Sequence, residues 1–192
     1  MAGYFQQHQL MAAPAILDWG CGLARVVQFF PEALPGGNYF GCDINSTRIH
    51  WNKSHHPTIA FSAITGNTLP YANQQFDGIY GLSVLTHIDA ASQLHWLKEL
   101  HRILKPGGIL ILSTQGESYY HQLNPAQLKN LIRSAAFSNP YQEDGHRMMS
   151  TYHHAPHFKK ELENIFSVLE YYNGKSHPAL LGGQDLWIVR RT

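Results

Sequence analysis

Three groups of residues in this chain of 192 are of types and spacings that could do chemistry. The first lies in the run ILDWGCGLAR, residues 16–25, where Asp18-Trp19 is followed by Gly20-Cys21-Gly22. Glycines at such a place let the backbone turn tightly and let a ligand approach main-chain atoms that a Cβ would block. A helix beginning just after them would aim its first N–H groups into the same crevice. A dinucleotide loop needs a third glycine where this chain has Arg25, and an acid ahead of the loop would repel a diphosphate. The same acid suits a ligand that carries an ammonium group. The second group is Asp43, about 20 residues further on, where a carboxylate can accept both hydroxyls of a ribose; its structural alternative is an acid favoured by a helix N-terminus. The third is histidine, present 13 times. His87 is a candidate general base, since free imidazole titrates at about 6.5, with hydrogen bonding to loop backbone as the alternative role. His121, in GESYYHQL, and His153, in Tyr152-His153-His154-Ala155-Pro156-His157, are candidates to line a polar cleft or serve as bases. The H-H-x-x-H spacing resembles a metal site, but no carboxylates or cysteines accompany it, so no metal is expected.

These residues must be held by elements that the pattern of apolar residues predicts. Ala15 to Leu17 reads as a strand and Leu23 to Phe30 as a short helix. A second strand spans Asn38 to Cys42, followed by a helix from Ser46 to Asn52. Further strands are expected over 59–64 and 76–84. A helix from Ala90 to Leu104 carries Leu94, Leu97, Leu100, Ile103 and Leu104 at helical spacing, one stripe facing a sheet. Lys105-Pro106-Gly107-Gly108 reads as the turn that ends it, and Ile109 to Ser113 as a strand buried on both faces. Residues 115–157 are polar and aromatic, with a helical patch from Ala126 to Ala136; a helix from Pro156 to Phe166 and strands over 166–172 and 185–190 follow. Strand–helix alternation of this kind predicts an α/β chain with a mostly parallel sheet between two helical layers. The whole reads as a single domain over 1–192, with a ligand-binding half at about 14–114 and an insertion plus closing strands at about 115–192.

Four segments in this order, ILDWGCGLAR, YFGCDIN, TGNTLPYANQQFDGIYGLSVLTHI and LKELHRILKPGGILILST, resemble the class I S-adenosylmethionine-dependent methyltransferases. The resemblance covers residues 14–114 closely. It implies a Rossmann-like three-layer α/β/α sandwich around a seven-stranded sheet whose last strand is antiparallel, with S-adenosyl-L-methionine as cofactor. Matched position by position, it implies that Asp18, Gly20, Cys21 and Gly22 surround the methionine part. Asp43 matches the ribose acid and Ile44 the apolar residue against adenine. Asn67, Thr68 and Leu69 fall at the adenine amino group, and Ser83 and Val84 open the segment to His87 beneath the reactive methyl. The chain departs from the pattern at Ala24, where a third glycine is usual, and at Asn67, where an acid is common. The lead ahead of Ala15 is shorter than members usually carry, so the expectation is a trimmed chain or an open cofactor site.

Composition bounds the acceptor. A formal net charge of +1 offers no field for nucleic acid, and Gly81-Leu82-Ser83-Val84 lacks the Asn/Asp-Pro-Pro-aromatic run of enzymes that methylate base amino groups. No run reaches the ~20 apolar residues of a membrane span, and the start has no signal-peptide pattern. With two cysteines only, a reducing, cytoplasmic setting is expected. The tail segments LSTQGESYYHQL, STYHHAPHFKKEL and GGQDLWIVRR resemble methyltransferases of bacterial glycan clusters. The expected activity is therefore O-methylation of a small molecule or saccharide precursor, the alternatives being a non-catalytic scaffold that keeps the fold and a nicotinamide-dependent oxidoreductase.

Overall fold

Strand β1 (Ala15–Trp19) delivers Asp18 to the edge of the glycine loop, and it does so between two parallel neighbours, β2 (Asn38–Asp43) and β4 (Phe76–Gly81). In register, Asp18 lies opposite Gly41 on one side and Tyr80 on the other. A computed structural model describes residues 1–8, 13–139, 149–179 and 181–192. Within it β3 (Ala60–Ala63) pairs with β2 in parallel, and β5 (Leu104–Thr114), β8 (Ser167–Tyr172) and β9 (Asp185–Arg190) complete a seven-stranded sheet. Its order is β3-β2-β1-β4-β5-β9-β8, and β8 runs antiparallel to β9. A separate antiparallel pair, β6 (Ala136–Ser138) with β7 (Thr151–His153), was not foreseen from the sequence. Residues 140–148 of the polar stretch lie outside the described residues.

The chain forms two compact units that alternate along its length. The first comprises Met1–Gly81, Glu99–Leu110 and Arg191; the second comprises Leu82–Lys98, Ile111–Arg190 and Thr192. In the first unit, helix α1 (Ala2–Gln7), to which the sequence reading assigned nothing, drives Phe5 into full burial. Phe5 meets Phe30 and Tyr80 at ring-centroid distances of 6.2 and 6.3 Å. The helix expected over 23–30 is replaced by turns, a 3-10 turn at Val27–Phe29 and a short α2 (Phe30–Ala33). Two causes are local: Gly22 and Ala24 both have positive φ, which no right-handed helix accepts, and Pro31 serves a helix only in its first turn. Helix α3 (Ser46–His55) starts where expected, its N-cap Asn45 accepting the Arg48 N–H.

Helix α4 (Ala90–Ile103) passes directly into β5 without the expected turn. Lys105 sets its ammonium on both oxygens of Asp77 at 2.9 and 2.8 Å. The N–H of Gly107, at φ 77°, donates to the Arg191 carbonyl, and the Arg191 N–H donates to the Gly108 carbonyl. Pro106 and the glycines thus end the helix by starting a strand. On α4, Leu97, Leu100 and Ile103 are buried as expected, but Leu94 is exposed and Gln93 takes the buried position. In the second unit α5 (Pro125–Ile132) opens on a capping box between Asn124 and Gln127, and α6 (Ala155–Glu163) carries Phe158 and Leu162 inward. Among the described residues no helix is long and apolar enough to cross a membrane.

Candidate functional site

In the first unit the glycine loop is pinned from its own backbone outward. The N–H groups of Gly20 and Cys21 both donate to the Cys42 carbonyl, at 2.8 and 2.9 Å. The Gly22 N–H donates to Asp43 Oδ2 at 2.9 Å, and the Asn45 N–H to Asp43 Oδ1 at 2.8 Å. Each oxygen of an ionised carboxylate can accept twice, so Asp43 orients the loop and α3 and keeps acceptor capacity for a diol. Gly20, Gly22 and Ala24 all lie in the left-handed region, with φ of 76°, 54° and 57°. Ala24 tolerates this at a cost of about 1–2 kcal/mol. A Cβ on Gly22 would meet nothing within 4 Å, so the space over the loop is open.

Asp18 is nearly enclosed, and burial pushes its carboxyl up to about 7, with the Asp43 charge adding to the shift and the nearby Tyr80 hydroxyl and Val27 N–H opposing it. Burial also raises both thiols, Cys21 and Cys42, which rules them out as nucleophiles near neutral pH. Ile44 stands exposed beside Asp43, an apolar surface next to polar groups. Asn67 and Thr68 are exposed, whereas the Leu69 side chain is buried, leaving its backbone as what a ligand could meet. The sequence reading missed Asn52. Fully buried on α3, it donates to the Gly22 carbonyl at 2.9 Å, while its own Oδ1 has no partner. The one available signal was an asparagine three residues after Ile49, on the helix face turned inward.

In the second unit Ser83 has φ 58°, and a closed ring of hydrogen bonds holds it there. Its N–H donates to Ser113 Oγ at 2.7 Å, Ser113 Oγ donates to Gln184 Oε1 at 2.7 Å, and Gln184 Nε2 donates back to Ser83 Oγ at 2.8 Å. Ser83 to His87 continue into a 3-10 turn that includes Leu85, and the Thr86 hydroxyl returns to the Ser83 carbonyl. His87 Nδ1 lies 2.9 Å from the Met149 carbonyl. A carbonyl only accepts, so Nδ1 carries a proton, and in the neutral ring Nε2 is the nitrogen that holds the lone pair. That is the tautomer a general base requires. Nothing in the sequence pairs Ser83 with Gln184, 101 positions away.

The other two histidines are placed differently. His121 is exposed, with Nδ1 against the Ser118 carbonyl. His153 is completely buried, its Nε2 2.8 Å from Gln93 Oε1 and its ring edge-on to Phe158, and burial pushes its pKa down to about 3. It stays neutral and enclosed through the physiological range. His154 and His157 bring their Nδ1 atoms within 3.2 Å; among the described residues no group of three or more metal-ligating side chains is assembled. Trp187 is core, its indole N–H satisfied by Thr114.

The first unit's residues fit the group that the sequence resemblance implies: an acid for an ammonium, free carboxylate lone pairs for a diol, an exposed aliphatic for a ring face, and open space over glycine. Residues 16–108 match the family described as methyltransferase domain. The chain is 28% identical over 137 residues to a demethylmenaquinone methyltransferase of Streptomyces griseus, covering 67% of this chain and 56% of that one. It is 34% identical over 104 residues to a ubiquinone biosynthesis O-methyltransferase of Ruegeria pomeroyi, covering 52% and 40%. The chain thus spans about half the length of the curated relatives it matches. Its fold matches the crystal structure of an S-adenosylmethionine-dependent methyltransferase from Methanosarcina mazei, with a TM-score of 0.72 at 18% identity over 97% of this chain and 96% of that one.

Proposed function

We propose that this chain, whose residues 16–108 match the methyltransferase domain family and whose fold matches an S-adenosylmethionine-dependent methyltransferase structure, transfers a methyl group to a hydroxyl of a small molecule. The observation that carries the reading is Asp43, whose two oxygens orient Gly22 and Asn45 and retain lone pairs for a ribose. When bound, S-adenosylmethionine supplies a methyl carbon on a cationic sulfur with a neutral thioether as leaving group, so the protein's work is alignment and exclusion of water. Asp43 accepts the ribose hydroxyls, Asp18 faces the ammonium, Ile44 covers one ring face, and Asn67 and Thr68 border the adenine edge. His87 Nε2 takes the proton of the acceptor hydroxyl as its oxygen becomes nucleophilic. His121 and His153 have no part in this assignment, the first for its exposed position and the second for its burial.

A relative named a ubiquinone biosynthesis O-methyltransferase supports an oxygen acceptor, and one named a demethylmenaquinone methyltransferase supports a small-molecule acceptor without specifying the atom. A phenolic hydroxyl is the first acceptor to try and a saccharide hydroxyl the second. Calorimetry with S-adenosylhomocysteine tests the cofactor half: micromolar binding is expected, weakened at least tenfold by Asp43→Ala. Absence of binding by the unaltered chain would overturn the proposal.

A further inference from the structure

One arginine in the first unit has every donor in use, and three of the five hold a loop rather than a helix. Arg102, in the last turn of α4, donates Nε–H to Glu99 Oε1 at 2.9 Å and Nη2–H to Glu99 Oε2 at 2.8 Å. Its remaining donors reach the Leu69 carbonyl at 3.1 Å, the Tyr71 carbonyl at 2.9 Å and Asn73 Oδ1 at 2.9 Å. Glu99 Oε2 in turn accepts the Leu69 N–H at 3.0 Å. One ion pair therefore grips both backbone groups of Leu69, as a neighbouring strand would. Beyond it the Gln74 and Gln75 N–H groups donate to the Arg102 and Ile103 carbonyls, and the Tyr71 ring packs against Phe76 at 4.9 Å. An ion pair three residues apart on a helix is by itself worth only a few tenths of a kcal/mol. Five fixed donors in one plane are another matter, because they impose a geometry.

We propose that the Glu99–Arg102 pair is the positioning device for the adenine end of the cofactor. The segment it holds begins at Leu69, directly after Asn67 and Thr68, which are exposed and carry the adenine edge in the proposed function; the inference rests on that reading. With Leu69 fixed at N–H and carbonyl, and its side chain buried, residues 67 and 68 have little freedom to lose when a purine arrives, and ordering them costs correspondingly little affinity. Lysine cannot substitute: it keeps the charge but not the planar fork.

The test is calorimetry at 10 °C with two probes, S-adenosylhomocysteine and 5′-methylthioadenosine, the second lacking the amino-acid end. Arg102→Lys should weaken both by the same factor, at least tenfold, and its effect should multiply with that of Asp18→Asn, which acts at the other end. Glu99→Gln, the milder variant, should weaken both probes and speed hydrogen exchange at the Leu69 amide. A folded Arg102→Lys protein that binds both probes as tightly as the unaltered chain, with only its melting temperature lowered, overturns the inference and leaves the cofactor reading standing. An unaltered chain that binds neither probe overturns both.

Discussion

Asp18 and His87 show how a residue's environment, rather than its type, decides what it can do. Asp18 is an ordinary acid in sequence, but its burial between β2 and β4 raises its pKa to about 7. Below that pH it is protonated and loses its attraction for an ammonium. S-adenosylhomocysteine affinity should accordingly fall as pH drops from 8 to 6, while Asp18→Asn binds weakly with no slope; a flat profile for the unaltered chain would contradict this role. The stability effect has the opposite sense. A folded pKa above the unfolded one means the folded state holds the extra proton, so stability falls as pH rises from about 4 to 7. Asp18→Asn should be the more stable protein at pH 8. His87 was picked from its place after β4, and its link to the Met149 carbonyl could not be read from sequence. His87→Gln should lower transfer of labelled methyl into a small-molecule extract about a hundredfold or more, with S-adenosylhomocysteine affinity unchanged. Equal transfer would remove it as the base.

At the scale of elements, the strands of the seven-stranded sheet were legible because their apolar runs are bounded by glycine, proline and acid, and α4 because its stripe repeats at helical spacing. What escaped was everything set by backbone conformation or by distant partners. The helix expected at 23–30 gave way to turns because of positive φ at Gly22 and Ala24. Gln93 took a core position on α4 that the stripe assigned to Leu94, because it has three partners there. Its Nε2 donates to the Leu85 and Ile88 carbonyls and its Oε1 meets His153. Gln93→Leu keeps the volume but strands these groups, and each lost partner in a buried site costs about 1–3 kcal/mol. Urea unfolding should show a loss of at least about 2 kcal/mol, with faster exchange in the 85–88 turn; a loss below half of that would mean the network is dispensable.

For the whole molecule, the two units carry buried groups with opposed responses to pH. Asp18, in the first, favours the folded state on acidification from 7 towards 4. His153, in the second, has a folded pKa near 3 against about 6.5 when free, so the unfolded state binds the extra proton and stability is lost as pH falls from 6.5. Hydrogen exchange, corrected for its intrinsic pH dependence, should show protection in β1 rising and protection in β7 falling between pH 7 and pH 5. Parallel changes in both would refute the assignment. The sequence by itself determined the alternation of strands and helices, hence the α/β class, and the glycine loop with its flanking acids, because these depend on short-range spacing. The cofactor type followed only from the resemblance of four such segments to a methyltransferase family. Only the tertiary structure decided which acid is raised towards neutrality, which histidine presents a lone pair and which is entombed, and which side chains hold the loops. Those outcomes depend on burial and on hydrogen-bond partners brought from 30 to 101 positions away, and no local pattern encodes such a meeting.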